Sequence, residues 1–221
     1  MVLHAPTFDG ACAPVAPSLT LASLLPAAAS ALVVGSSGRA FFAAFEGSSE
    51  AVDGRPDPFD RYTRAVVNDV ARATLGPLGV AFVARFPFVG ALSPIPFQRL
   101  GRAAGLAPAS PLGFQIHPTF GAWWAYRALL VVDVALPATE ALDDGCAGCP
   151  APCVAACPGH AVHVVGFDVA PCHAHRLVSA PCQSSCVARL ACIRGPEHQY
   201  TEAQLAFHMA ASMPRPKPSA R

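Results

Sequence analysis

Apolar positions along the first 140 residues fall into short runs and helical stripes separated by polar and turn-forming residues. Runs of apolar and β-branched residues predict strands at 31–34, 80–84 and 127–134. The sequence Gly-Ser-Ser-Gly at 35–38 predicts a loop after the first strand, and a short helix is expected over 39–45. Strands interleaved with helices in this order predict an α/β or α+β sandwich.

The clearest helix signal follows Asp57, which can cap a helix whose first turn contains Pro58. The helix is expected to end at Gly76, because a proline follows it directly. Apolar side chains recur along it at a spacing that places them on one face. These residues are Phe59, Tyr62, Val66, Val70 and Ala73.

Two further helices are predicted later in the chain. The first opens at Ser93 and Pro94 and stops at Gly105. The second follows Thr201, which forms a capping-box pair with the residue three positions on, Gln204, and runs to about residue 213. The proline-rich residues after it, 214–221, are expected to form a disordered tail.

The overall composition suits a folded protein without a polymeric partner. Its 221 residues are 53% hydrophobic, and a net charge of +1 provides no basic field for nucleic acid or anionic lipid. The longest apolar run, 19–34, is interrupted by Pro26, is short for a membrane span, and has no Lys or Arg before it. We therefore expect a soluble cytoplasmic protein. In that reducing compartment, clustered cysteines favour metal over disulfides.

Eight of the nine cysteines lie between residues 146 and 192. The first four form a C-x2-C-x3-C-x3-C-P pattern that ends at Pro158. Bacterial two-cluster ferredoxins have C-x2-C-x2-C-x3-C-P, in which the fourth cysteine ligates the other cluster. This chain has one extra residue before the third cysteine, and its second group of four is less regular. The pattern predicts two [4Fe–4S] clusters.

The ferredoxin pattern also predicts how the ligands divide between the two clusters. One set of four consists of Cys146, Cys149, Cys153 and Cys192. The other set consists of Cys157, Cys172, Cys182 and Cys186. Small neighbouring residues would let backbone amides approach the sulfurs and adjust the cluster potentials. These are Gly145, Gly148, Ala155 and Ala156.

Two alternatives to iron–sulfur clusters stay open at this point. Four thiolates can also hold structural zinc, and disulfides are a further possibility. Histidines near the cysteines add possible zinc ligands, although surface or capping roles also explain them. They are His160, His163, His173 and His175. The ninth cysteine, Cys12, is predicted to be an inert thiol.

The most distinctive segment outside the cysteines is 113–127, which reads Gly-Phe-Gln-Ile-His-Pro-Thr-Phe-Gly-Ala-Trp-Trp-Ala-Tyr-Arg. It resembles a segment of the cobalamin C-type proteins, which reduce cyanocobalamin and dealkylate alkylcobalamins. The resemblance extends loosely to about residue 137 and implies a nitroreductase-like fold with a corrinoid site. The cofactor-binding residues that it implies are His117, Phe120, Gly121, Trp123 and Arg127.

These residues also have structural explanations. Trp123 is equally explained as a core aromatic, His117 as the residue that fixes an Ile-His-Pro turn, and Arg127 as the partner of an acidic neighbour. Arg127 matches an arginine associated with glutathione in the cobalamin C type. The sequence assigns no catalytic acid.

The cysteine-rich segment resembles the ferredoxin-type segment of epoxyqueuosine reductases and reductive dehalogenases. Epoxyqueuosine reductases have an acidic residue soon after a Pro-Phe-Val sequence, where this chain has Gly90 and Ala91, and this difference argues against epoxyqueuosine as the substrate. The two resemblances together predict a corrinoid-binding α+β domain at 1–140 and a two-cluster ferredoxin-like module at 141–198. A C-terminal helix at 199–213 and the tail at 214–221 would follow.

The predicted function is that of an iron–sulfur redox protein. It would bind cobalamin and reduce it, or remove its upper ligand, with single electrons from two [4Fe–4S] clusters. Its partners would be a corrinoid and an electron-donor protein, and it would bind neither nucleic acid nor a membrane. Two other functions stay open: a ferredoxin-type electron carrier without corrinoid, and a corrinoid chaperone whose clusters are structural.

Overall fold

The computed structural model describes residues 1–88 and 95–213, and the chain divides into two compact units. The first unit combines Met1–Ala107 with Trp124–Asp143, and the second combines Pro108–Trp123 with the chain from Asp144 onward. Residues 108–123 were expected in the first domain, whereas in the structure they belong to the second unit. After Asp143 the chain stays in the second unit, and this point lies close to the domain boundary predicted at residue 140.

A four-stranded antiparallel sheet organises the first unit, with strand order β1-β2-β4-β3. The strands are β1 (Val2–Leu3), β2 (Ser30–Ser37), β3 (Phe82–Arg85) and β4 (Trp124–Val132). The helices are α1 (Ala5–Cys12), α2 (Leu21–Leu24), α3 (Ala40–Glu46), α4 (Ser49–Val52), α5 (Pro58–Leu75) and α6 (Phe97–Ala103). This mixture of helices and an antiparallel sheet confirms the predicted α+β class.

Alternation along the two central strands places their most buried side chains on one face of the sheet. Ala31 and Val33 on β2 and Leu129 and Val131 on β4 point to this face, because successive residues of a strand point to opposite sides. They pack against apolar residues of the helices α1, α2 and α6, and together these side chains form the core of the first unit.

Strand β2 is longer than the sequence predicted. A β-bulge between Val34 and Gly35 lets pairing with β4 continue as far as Ser37, so residues 35–37 are strand where a loop was predicted. The turn follows at Gly38, whose φ of 61° suits glycine. Helix α3 confirms the predicted short helix. Strand β4 begins at Trp124, three residues earlier than expected.

Helix α5 is confirmed, but the apolar face predicted for it is partly wrong. Val70 and Ala73 are exposed, whereas Thr63 and Ala71 are buried, as Phe59 is. A polar residue therefore occupies an inward position, and a pattern based on apolar residues alone misses it. Asp57 lies at the N-cap as predicted. Its side chain makes no capping hydrogen bond, however, because its backbone is left-handed, with φ 51°.

The second unit consists of short helices and one small hairpin. The hairpin strands are β5 (Val162–His163) and β6 (Gly166–Phe167). The helices are α7 (Pro152–Ala156), α8 (Val169–Val178), α9 (Ala180–Ser184), α10 (Val187–Leu190) and α11 (Glu202–Ala211). The start of α11 agrees with the predicted cap, since the Thr201 side chain accepts a hydrogen bond of 3.1 Å from the Gln204 N–H.

Some predictions concern parts of the chain that the structure does not describe. The helix opening at 93–94 and the glycine–alanine pair at 90–91 lie outside the described residues, as does the tail 214–221. Within 1–88 and 95–213, no helix has both the length and the apolar character needed to cross a bilayer.

Candidate metal centre

Eight cysteines of the second unit surround two separate cavities, four at each. The first site is the cavity lined by Cys146, Cys149, Cys153 and Cys192. The second site is the cavity lined by Cys157, Cys172, Cys182 and Cys186. These are the two sets that the crossed ferredoxin arrangement names. The structure thus brings the predicted ligands together in the predicted groups, while metal binding itself stays a prediction.

Two tight turns bring three cysteines of the first run around the first site. The Cys149 N–H donates to the Cys146 carbonyl at 3.0 Å, and Gly148 between them has a φ of 65°. Ala151 is also left-handed, with φ 53°, directly before α7, which carries Cys153. It lies between Cys149 and Cys153, where this chain has one residue more than the ferredoxin pattern.

The fourth cysteine of the run leaves the first site at the end of α7. Cys157 has an extended backbone, with φ −76° and ψ 107°, as expected for a residue before proline. Pro158 cannot continue the helix and lines the second site next to Cys157. The Cys-Pro pair therefore places the Cys157 thiol at the second site.

Three short helices supply the other ligands. Cys172 lies on α8, Cys182 on α9, and Cys186 directly before α10. Cys192 follows α10 and returns the chain to the first site. Each site therefore combines cysteines that are distant in sequence.

Burial and the neighbouring charges determine the acidity of these thiols. Desolvation raises the pKa of Cys146 to about 11, with a further increase from the carboxylate of Asp144. Desolvation also raises the pKa of Cys153, Cys172 and Cys186. These four thiols thus hold their protons at neutral pH, and metal binding would have to release them.

Backbone donors partly offset this desolvation. The Ala161 N–H donates to the Cys157 sulfur at 3.4 Å. The backbone amides of Val154 and Arg189 make the increase in the pKa of Cys153 and of Cys186, respectively, smaller than desolvation alone would make it. Such N–H donors stabilise thiolate sulfur and influence the potential of a bound cluster.

The donors at the second site fit an acceptor-rich group. In the described part of the chain, His175 Nε2 and Arg176 Nε are buried without a hydrogen-bond partner, and both residues line this cavity with the four thiols. Arginine Nε always donates, and His175 Nε2 donates in the tautomer that carries its proton. Each such donor needs an acceptor, which thiolate or sulfide sulfur would provide. Among the described residues, no three His, Cys, Asp or Glu side chains meet the geometry for a single metal ion.

Four residues of the predicted corrinoid set lie in the second unit. Trp123 is completely buried, with its ring 5.6 Å from that of Tyr200 and 5.0 Å from the Arg189 guanidinium carbon. His117 and Gly121 form a tight backbone bridge, and the His117 ring lies 4.5 Å from that of Phe120. This arrangement gives the segment a structural role beside the cysteine sites.

Arg127, the fifth residue of that set, lies in the first unit. Its Nε donates to Ser36 Oγ at 2.7 Å, and its guanidinium carbon lies 4.7 Å from the Phe59 ring centroid. Arg127 borders a cavity of about 320 Å³. Apolar side chains from β2, β4 and α5 form most of its wall, among them Leu32, Val34, Val66, Val67, Val70 and Leu130.

Replacing Trp123 with alanine is expected to destabilise the second unit by roughly 3 to 5 kcal/mol, because a fully buried indole would leave a large cavity. Thermal unfolding followed by far-UV circular dichroism measures the loss, with Trp123→Phe as the milder control. A change below about 1 kcal/mol would contradict the structural role of this residue.

Cys12 lies apart from both sites, in the core of the first unit. Its side chain is fully buried, and desolvation raises its pKa to about 11. A buried, protonated thiol reacts slowly, because the thiolate is the nucleophile. These properties agree with the inert thiol expected from the sequence.

Three arginines of the second unit were not predicted as functional residues. Arg176 lines the second site and Arg194 lines the first site, whereas Arg189 packs against Trp123. The position of Arg176, four residues after Cys172 on one helix, gave a usable signal, since residues spaced by four share a helix face.

Comparison with known proteins gives little guidance. No protein-family model matches the chain, and no curated protein matches it either. Among solved structures, the chain is similar to epoxyqueuosine reductase from Streptococcus thermophilus, with 12% sequence identity and a TM-score of 0.40. The match covers 65% of this chain and 39% of the reductase, so the chain spans about two fifths of the length of that protein.

Proposed function

We propose that this protein is an electron-transfer protein that holds two [4Fe–4S] clusters, one at each cysteine site. The observation that carries the proposal is the grouping of eight cysteines, four around each of two cavities, in the crossed order of two-cluster ferredoxins. When bound, such clusters supply one-electron transfer. The partners in this proposal are an electron-donor protein and an electron acceptor.

The chain's own residues would perform three tasks. The thiols would bind iron after losing their protons, which the backbone amides near Cys153 and Cys186 favour. Apolar neighbours would exclude water, for example Ile116 at the first site and Phe167 at the second. The Cys-Pro turn at 157 would keep the two clusters close together, because adjacent parts of one helix hold ligands of both.

The experiment is an analysis of iron, zinc and acid-labile sulfide in anaerobically reconstituted protein. We expect about eight iron and about eight sulfide per chain, as two clusters with four cysteine ligands each require. About two zinc per chain without sulfide would replace the proposal with the structural zinc sites. Absence of both metals together with loss of free thiols would favour disulfides.

We further propose that the electron acceptor is the cobalt of a corrinoid such as cobalamin. The support is the resemblance of the segment 113–127 to the cobalamin C-type proteins. The cavity of the first unit that Arg127 borders adds to this support, since its volume and apolar wall are typical of small-molecule sites. The resemblance of the cysteine segment to corrinoid-dependent reductases is consistent with the same acceptor.

The visible spectrum of the anaerobic protein, before and after addition of cobalamin, tests this second proposal. We expect the spectrum to change when cobalamin binds. Arg127→Met should weaken cobalamin binding at least tenfold. Arg64→Met is the matched control, because Arg64 also lies near aromatic rings of the first unit, those of Phe86 and Phe88, but does not line the cavity.

The same experiment distinguishes the alternatives. If no corrinoid binds, the protein is an electron carrier of the ferredoxin type. If cobalamin binds and a variant without clusters reduces it as fast as the wild type, the clusters are structural and the corrinoid chaperone is favoured. Slower reduction by that variant, with binding retained, supports the coupled function.

A further inference from the structure

A buried arginine gives the second site a charge environment that the first site lacks. Arg176 is 6% exposed and lines the cavity of the second site from α8. Its Nη1 donates to the Ser212 carbonyl at 2.9 Å and its Nη2 to the Met209 carbonyl at 2.7 Å. Among the described residues, no carboxylate forms an ion pair with it. Within residues 1–88 and 95–213, its positive charge is therefore buried without a negative partner.

The charges at the first site differ in sign and in exposure. Asp144 is exposed, and its Oδ1 accepts a hydrogen bond of 2.8 Å from the Cys146 N–H. Arg194 is half-buried, and its Nε donates to the Gly145 carbonyl at 2.9 Å. Because the two charges are opposite and in contact with water, their combined effect within the cavity is small.

We propose that Arg176 makes the second site the electron-accepting end of this protein. Reduction adds one negative charge, and a buried cation stabilises that charge strongly where the dielectric constant is low. The second site should therefore have the higher reduction potential, so that an electron delivered to either site comes to rest there. The step moves one electron from a one-electron donor protein, and no bond forms or breaks. This inference rests on the proposed two-cluster function.

Arg176 also has a structural role, and the test must separate the two. Its hydrogen bonds to the Met209 and Ser212 carbonyls satisfy the C-terminal end of α11, as a basic residue often does. Arg176→Lys keeps the charge but loses the paired hydrogen bonds, whereas Arg176→Met loses both. A purely structural role predicts that both variants are less stable and that neither changes a reduction potential.

The experiment is a dithionite titration of the full-length, reconstituted protein at controlled potential, followed by electron paramagnetic resonance. Cys157→Ser and Cys146→Ser, which each lack one site, assign the signals. In the wild type, the first signal to appear as the potential is lowered should be that of the second site, which Cys157→Ser lacks. Arg176→Met should lower the potential of that signal alone, and Arg176→Lys should keep it near the wild-type value. Arg194→Met, the matched arginine at the first site, should shift its signal less.

The possible outcomes separate this inference from the function on which it rests. If the protein binds no iron and sulfide, the proposed function fails. If both clusters form but the first site is reduced at the same or a higher potential, the inference alone fails. It fails also if Arg176→Met leaves the potential of the second site unchanged. Should Arg176→Met not fold, the order of reduction in the wild type still decides.

Discussion

Replacing Cys157 with serine is expected to remove about four of about eight irons and to leave the first site loaded. In sequence, Cys157 belongs to the same run as Cys146, Cys149 and Cys153. In the structure it lines the second cavity, because Pro158 ends α7 and directs the chain away. Loss of one of four ligands should therefore empty the second site. Iron and sulfide analysis with electron paramagnetic resonance measures the result.

Two controls accompany this variant. Cys146→Ser should lose the other half of the iron. The resonance signal that remains in Cys146→Ser should be the one that Cys157→Ser lacks. Cys12→Ser should keep all of the iron, since this cysteine is buried in the core of the first unit, whereas both sites belong to the second unit. If Cys157→Ser lost the cluster that Cys146→Ser also loses, each run of four cysteines would close on itself, and the crossed arrangement would be wrong.

Replacing Gly121 with alanine is expected to destabilise the second unit by roughly 3 to 5 kcal/mol, because left-handed strain adds to steric overlap. Gly121 has a φ of 57°, and a Cβ there would overlap the backbone carbonyl of Arg194. Gly195, with φ 59°, also packs closely, since a Cβ there would lie 2.6 Å from the Thr119 carbonyl oxygen. The overlapping atoms belong to the backbone on both sides, so no side chain can move away. Urea unfolding followed by circular dichroism measures the loss.

The control for Gly121→Ala is a glycine with the same backbone conformation in open space. Gly79 has a φ of 67°, and a Cβ there would have no atom of the described residues within 4 Å. Gly79→Ala should therefore cost only the left-handed strain, about 1 to 2 kcal/mol. Equal losses for the two variants would show that the contact with Arg194 is not tight.

The sequence predicted best those features that depend on short-range chemistry. Thr201 marked the start of α11, because a cap needs only a hydroxyl and an amide three residues later. The turn at Cys157 followed from the proline after it. The spacing of the cysteines likewise anticipated which four thiols share a cavity, since the ferredoxin pattern relates spacing to ligand sets.

Features that depend on distant partners were not accessible from the sequence. Residues 113–127 form one motif in the sequence, yet the boundary between the two units falls between Trp123 and Trp124. Trp123 is buried against Tyr200 and Arg189, and nothing in the motif itself indicates partners so far along the chain. The extension of β2 beyond Val34 likewise depends on its pairing with β4. The spacing of Arg176 from Cys172 indicated a shared helix face, but only the packing of α8 shows that this face lines the second site.

The division of the second unit between two parts of the chain affects how the protein is made. Residues 108–123 leave the ribosome well before the cysteines, yet the backbone of Gly121 packs against that of Arg194. Residues 108–123 therefore cannot make their final contacts until residue 194 has been synthesised. Metal delivered during translation would meet thiols before this unit can close. If the two sites hold clusters, as proposed, their loading would be completed only after residue 194 has been synthesised, when all eight cysteines of the second unit are in place.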